Sequence, residues 1–181
     1  MPVAALKTER LVLRDWRDDD LASFAALNAD PRVTEFLPAA LTRAESDALA
    51  DRIRASLGCH GFGLWAVEIQ GGAPFIGFVG LSVPLFAAAF TPCTEIGWRL
   101  AHAYWGHGYA TEAARAALAY GFERLGLEEI VAFTTADNVR SRAVMERLGM
   151  TRSAADDFEH PALASGDPLR PHVLYRIRAP R

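Results

Sequence analysis

The chain is poor in cysteine. Cys59 and Cys93 are its two thiols, and they form no CxxC pair. That excludes a disulfide framework and leaves at most a single bridge. Neither an HExxH run nor a Cys/His cluster occurs, so no metal centre is expected. The apolar run Pro84 to Phe90 is far too short to span a bilayer. The stretch from Met1 to Arg10 carries no apolar signal segment. Basic residues are not in surplus: Lys+Arg 19 against Asp+Glu 22 give a net charge of -3, which argues against a nucleic-acid surface. Repeats and low-complexity blocks are missing. These absences predict a soluble, cytoplasmic protein with no nucleic-acid and no membrane partner, with homodimerisation left open.

What is present suits a packed core. Hydrophobic residues make up 51% of 181 residues, and one domain over residues 1–181 is the simplest organisation. Leu11 to Leu13 reads as a strand. A charged turn follows, where an aspartate caps a helix through about Asn28, stopped by Asp30-Pro31. Thr42-Arg43-Ala44-Glu45 is a capping-box pattern opening a helix to Leu57, with Gly58 as its C-cap. Leu64 to Ile69, Phe75 to Val83 and Thr94 to Leu100 read as strands suited to antiparallel pairing. Ala110 to Leu125 is helical, with Ala114, Ala117, Leu118, Gly121 and Leu125 on one face. Ile130 to Thr135 reads as a strand, Asn138 to Leu148 as a short helix ended by Gly149, and Val173 to Ile177 as a last strand. Ala154 to Pro171 is read as a loop.

Between the third antiparallel strand and the alanine-rich helix lies Tyr104-Trp105-Gly106-His107-Gly108-Tyr109-Ala110-Thr111-Glu112-Ala113. Small residues there let backbone approach a ligand, and the N–H groups opening the next helix lack intrahelical partners. That is a phosphate-binding arrangement. A P-loop would need Gly-Lys-Ser/Thr, which is missing. A dinucleotide fingerprint is weakened, because Thr111 stands at its third small position and the preceding strand lies mid-chain.

Two motifs resemble a known family. Glu95-Ile96-Gly97-Trp98-Arg99-Leu100 with the glycine loop resembles the acyl-CoA-binding core of the GNAT acetyltransferases. Asp137-Asn138-Val139-Arg140-Ser141 with Met145-Glu146-Arg147-Leu148-Gly149-Met150 is similar to that superfamily's second signature. The pair looks most like the branch that acetylates ribosomal-protein N-termini. The resemblance implies an α/β (α+β) GNAT-like fold, with a mixed, mostly antiparallel sheet of about six to seven strands flanked by about four helices. It also implies an acetyl-CoA-dependent N-acetyltransferase acting on a primary amine, a protein N-terminus or a small molecule, with no metal. Trp105 to Thr111 (Trp105, Gly106, His107, Gly108, Tyr109, Ala110, Thr111) would wrap the pyrophosphate, and Trp98, Arg99 and Leu100 would pair with the pantetheine. An N–H near Leu100 would polarise the thioester carbonyl. Asn138 would bond the pantetheine and Ser141 would protonate the leaving thiolate. Many relatives use a tyrosine one turn later, where this chain has Met145.

Blander readings stand beside these. Asn138 and Ser141 could merely cap a helix. Glu95 is the candidate general base, or else a structural glutamate. Strand alternation puts Glu95, Gly97 and Arg99 on one face, opposite Trp98 and Leu100. His102 and His107 flank the loop; His160 and His172 are loop packing or acceptor lining. His60 beside Cys59 does not activate it as a nucleophile. Trp16 and Asp30 to Pro38, including Phe36 and Leu37, are expected near the acyl end. An acyl-CoA sensor without transferase activity is the alternative function.

Overall fold

The structure, a computed structural model, describes residues 3–180. Its strands are β1 (Leu6–Lys7), β2 (Leu11–Arg14), β3 (Leu64–Ile69), β4 (Gly77–Ser82), β5 (Glu95–Leu100), β6 (Glu129–Thr135), β7 (Thr151–Arg152), β8 (Phe158–Glu159) and β9 (Pro171–Arg178). The helices are α1 (Asp20–Ala29), α2 (Pro31–Thr34), α3 (Arg43–His60), α4 (Tyr109–Glu123) and α5 (Val139–Arg147). Among the described residues one mixed sheet forms, in the order β1-β2-β3-β4-β5-β6-β9-β7, with β8 also on β9. The six longer strands are those the hydrophobic pattern marks. The three two-residue strands lie outside that pattern, and β8 falls inside the segment expected to be a loop.

Local chemistry sets most helix ends. Thr42 and Glu45 form the expected capping box at the start of α3. That helix does not stop at Gly58. It continues to His60, and Gly61 closes it with φ 74° and an N–H donated to the Leu57 carbonyl. Pro31 opens α2 with the Asp30 side chain as its cap. The start of α1 differs from expectation: Asp19 makes no capping bond. Asp20 turns inward instead and takes two bonds from Arg14, at 2.8 and 2.9 Å, plus the Arg17 N–H. Arg14 also holds Glu68 at 2.7 Å. Burying both charges is tolerable because each is paired and hydrogen-bonded.

The sheet is covered on both faces. On one, α4 presents Ala113, Ala114, Ala117 and Gly121, all buried. A Cβ at Gly121 would lie 2.8 Å from Ile130 Cδ1 and 3.1 Å from Leu81 Cδ1, so the small residue sets how closely helix and sheet approach. On the other face, Trp16, Phe24, Phe75 and Phe78 pack edge-to-face and tilted beneath α1. Trp16 is 4% exposed and donates its indole N–H to the Leu64 carbonyl. It is core, and the expectation that it approaches the acyl end is corrected. Among the described residues no helix is long and apolar enough to cross a membrane.

Asp20→Ala should destabilise the fold by about 3 kcal/mol, because it strands the buried Arg14 guanidinium. Arg17→Ala, at the exposed edge of the same network, should change stability by less than about 1 kcal/mol. Urea unfolding of both variants checks the contrast.

Candidate active site

The site follows from how two parallel strands separate. β5 and β6 share a single pair, Glu95 with Val131. By contrast β5 pairs with β4 along its whole length, and β6 does the same with β9. Beyond Glu95 the two strands diverge, opening a V-shaped cleft of about 1560 Å³.

Backbone alternation tells which groups of β5 face that opening. Ala101 donates its N–H to Ile76 beside β4, while Thr94 offers its carbonyl to Val131 of β6. Peptide groups of odd-numbered residues therefore serve β4, and those of Ile96, Trp98 and Leu100 point to the diverging edge. The Leu100 carbonyl is taken by the Trp105 indole N–H at 2.8 Å. The Trp98 and Leu100 N–H groups are thus directed into the cleft, whereas the Arg99 backbone belongs to the β4 ladder.

At the mouth, Gly106 and Gly108 have φ of 80° and 79°, a region other residues enter only with strain. Gly108 is the N-cap of α4 and there is no side-chain cap, so the first-turn N–H groups of Tyr109 to Thr111 stay open to an anion. The loop is pinned from behind: Glu112 accepts from Thr8 Oγ1 at 2.6 Å, Arg10 N–H at 2.9 Å and Arg10 Nε at 2.7 Å. His107 stacks on Tyr109 and does not line the cleft, unlike its neighbours Gly106 and Gly108. His102 packs on Trp105.

The opposite wall is the end of β6 and the first turn of α5. Asn138 caps α5: its Oδ1 accepts from the Ser141 N–H at 3.2 Å, and its Nδ2 donates to Thr134 Oγ1 at 2.9 Å. The bland capping role is therefore present whatever else Asn138 does. Ser141 lines the cleft. Met145 is buried behind it, 1% exposed. From the α1 side, Arg32, Val33, Phe36 and Leu37 reach the cleft, as expected for residues 30–38. Arg140 ties this segment to the far wall through an ion pair with Glu35, and it lies over the rings of Phe36 and Trp105. His172 lines the cleft, whereas His160, its ring centre 5.0 Å from that of His172, sits within a cluster of phenylalanines.

Two charged side chains of β5 lie on the α1 face of the sheet. Burial pushes the Glu95 carboxyl up to about 8, with the Ser82 hydroxyl at 3.5 Å opposing the shift. Arg99 is pulled down to about 10 by the same loss of water. It rests over Phe78 and donates to Asn28 Oδ1 at 2.7 Å. Cys59 and Cys93 are free, and burial pushes the Cys93 thiol up to about 11, which makes it a poor nucleophile. Among the described residues no group of three or more His, Cys, Asp or Glu is placed to hold a metal. Sequence reasoning missed Ser82, Thr134, Arg140 and the Asn28–Arg99 contact. Of these, Arg99 and Arg140 lay inside the quoted motifs and Thr134 sits four residues before Asn138; Ser82 and Asn28 meet their partners through tertiary pairing.

A splayed β-strand edge leading into an uncapped helix N-terminus defines a site for an extended ligand with an anionic end. The comparisons agree. The family model described as the acetyltransferase (GNAT) domain matches residues 10–151, and the chain belongs to that family of acetyl-CoA-dependent acetyltransferases. FsC-acetyl coenzyme A-N(2)-transacetylase of Aspergillus fumigatus is 33% identical over 81% of this chain, which spans 64% of that protein's length. A GNAT-family acetyltransferase from Bacillus anthracis superposes with a TM-score of 0.80 at 25% identity, covering 97% of this chain and 98% of the other. The ribosomal L7/L12 α-N-protein acetyltransferase RimL, solved with coenzyme A, shares the fold at a TM-score of 0.76 and 15% identity, covering 97% and 98% of the two chains.

Glu95 keeps its proton in the folded chain up to about pH 8, while an unfolded glutamate loses it near 4.5. Stability should therefore fall as pH rises through that window. Glu95→Gln should flatten the fall, by on the order of 2 kcal/mol, less than the full shift because cleft water reaches the group. Thermal or urea unfolding between those pH values is the check.

Proposed function

We propose that this chain moves the acetyl group of acetyl-CoA to a primary amine, on a protein N-terminus or a small molecule, by direct attack within a ternary complex. The observation that carries the reading is the free β5 edge, which runs from the Glu95 carboxyl straight to the open N-terminus of α4. The loop from Trp105 to Thr111 holds the pyrophosphate on backbone N–H groups. Trp98 and Leu100 pair with the pantetheine as a neighbouring strand would. Asn138, fixed by Thr134 and Ser141, offers its remaining amide hydrogen and lone pair to the same arm.

In the reaction an N–C bond forms and the C–S bond breaks. Glu95, once ionised, accepts the proton of the attacking ammonium, directly or through water. A β5 N–H of Trp98 or Leu100 stabilises the developing oxyanion; one such donor is worth about 3 kcal/mol. Ser141 Oγ gives its proton to the departing thiolate and regains one, through water, from the nitrogen of the collapsing tetrahedral intermediate, while Glu95 returns its proton to solvent. An acyl-CoA sensor would need the cradle alone. A carboxyl held near 8 and a serine lining the same cleft favour transfer over sensing.

Gly108→Glu should abolish acetyl-CoA binding in a chain that still folds, since it adds both strain and a negative charge to the cradle; calorimetry reads this. Unchanged affinity would remove the loop assignment. Glu95→Gln should lower kcat/KM by about 100-fold and erase a rise in rate near pH 8. Ser141→Ala should reduce kcat by about tenfold with little change in acetyl-CoA affinity. Wild-type turnover in either variant withdraws that residue's role.

A further inference from the structure

Six arginines line the cleft; three have carboxylate partners, and of the other three Arg115 and Arg147 lie on α4 and α5 while Arg99 lies on the α1 face. Arg32 pairs with Asp30 at 2.7 Å, and Arg140 pairs with Glu35. Arg99 has no such partner. Among the described residues its one hydrogen-bond partner is the neutral Asn28 side-chain oxygen, and it forms no ion pair. Asn28 is itself fully buried and fixed by its bond to Ser46 Oγ at 2.9 Å, so the guanidinium is held in place. Its Nε and Nη2 take no protein acceptor and are not sealed off from the cleft. Glu95 does not neutralise it, being four residues away along the same strand face, about 13 Å. A desolvated guanidinium without an anion is an unfinished pair, and its fork geometry suits a carboxylate.

We propose that Arg99 is the anion subsite for the acceptor: the amine this chain acetylates also carries a carboxylate. The inference rests on the transferase reading and narrows its substrate class. The acceptor and not the donor supplies the anion, because the donor's pyrophosphate belongs at the α4 N-terminus while Arg99 points to the α1 face. Loss of water on burial, which draws the Arg99 guanidinium down to about 10, is the strain that a bound carboxylate relieves.

The test pairs each member of a panel of α- and ω-amino acids with its own carboxamide. Amidation keeps the amine and removes the anion. It also lowers the pKa of an adjacent amine, which by itself favours the amide, so a preference for the carboxylate runs against intrinsic reactivity. Wild type should prefer at least one carboxylate over its amide by about tenfold or more in kcat/KM. Arg99→Gln, which can still bond Asn28, should bring that ratio to within about threefold of unity, and Arg99→Lys should retain part of it. No preference in wild type, or a full preference in Arg99→Gln, overturns the subsite. A loss of about tenfold in acetyl-CoA affinity in Arg99→Gln also overturns it, by assigning the charge to the donor's phosphates. If no amine is acetylated, the transferase reading fails separately. Calorimetry of the same pairs on the coenzyme A-loaded protein then decides the subsite: carboxylate-selective binding lost in Arg99→Gln supports it, and its absence in wild type refutes it.

Discussion

Strands β5 and β6 run parallel and meet at Glu95 and Val131 alone. Everything functional follows from that single contact. Parallel neighbours normally share a continuous ladder, and leaving one open exposes peptide groups that must find partners elsewhere. Here the divergence is held from both sides. β5 is committed to β4 and β6 to β9, so neither strand is free to close the gap. α4 packs across both halves, and its row of alanines with Gly121 brings it close enough to hold them at a fixed angle. The edge of β5 is thereby left open, and the chain leaving it passes through a 3-10 turn and the glycine loop to a helix N-terminus with no side-chain cap.

The handling of charge divides the molecule. At the entrance to α1, Arg14 is surrounded by Asp20, Glu68 and backbone carbonyls, so burial is matched by bonds. Glu95 and Arg99 lie on the strand that carries the cleft and receive far less: one long hydroxyl contact and one amide oxygen. The same physical penalty is compensated where it would weaken the fold and left open where a ligand can supply the partner. That contrast argues that the two cleft charges are kept for chemistry.

Much of the fold was legible because it rests on short-range rules. The strand from Leu64 to Ile69, the Thr42–Glu45 capping box, the alanine face of α4 and the Asn138 cap all depend on residues within one or two turns of each other. Misreadings arose where another partner, near or distant, overrode a local preference. Asp20 is a good capping residue until Arg14 and Glu68 make an inward position better. Gly58 looks like a helix stop, yet Gly61 is the residue whose N–H can close on Leu57. Trp16 was expected near the acyl end from the family resemblance, while its ring is captured by Phe24 and Phe75. The two-residue strands β7 and β8 owe their existence to β9, a neighbour no local pattern records.

The donor side was readable for a related reason. A pyrophosphate is bound by backbone, so its requirements appear as glycines and a helix start contiguous in sequence. An acceptor is bound by side chains, and the cleft lining proposed for it comes from four separate places: residues 32–37, Arg99 on β5, Arg140 on α5 and His172 on β9. Arg140 joins two of them, since it holds Glu35 while lying over Trp105, whose indole fixes the Leu100 carbonyl. The acceptor wall is therefore mechanically continuous with the donor strand, although nothing in the sequence places them side by side. Specificity can change by altering any of these scattered side chains without disturbing the glycine loop, and for that reason a chain can announce its acyl donor in ten consecutive residues yet disclose its acceptor only once it is folded.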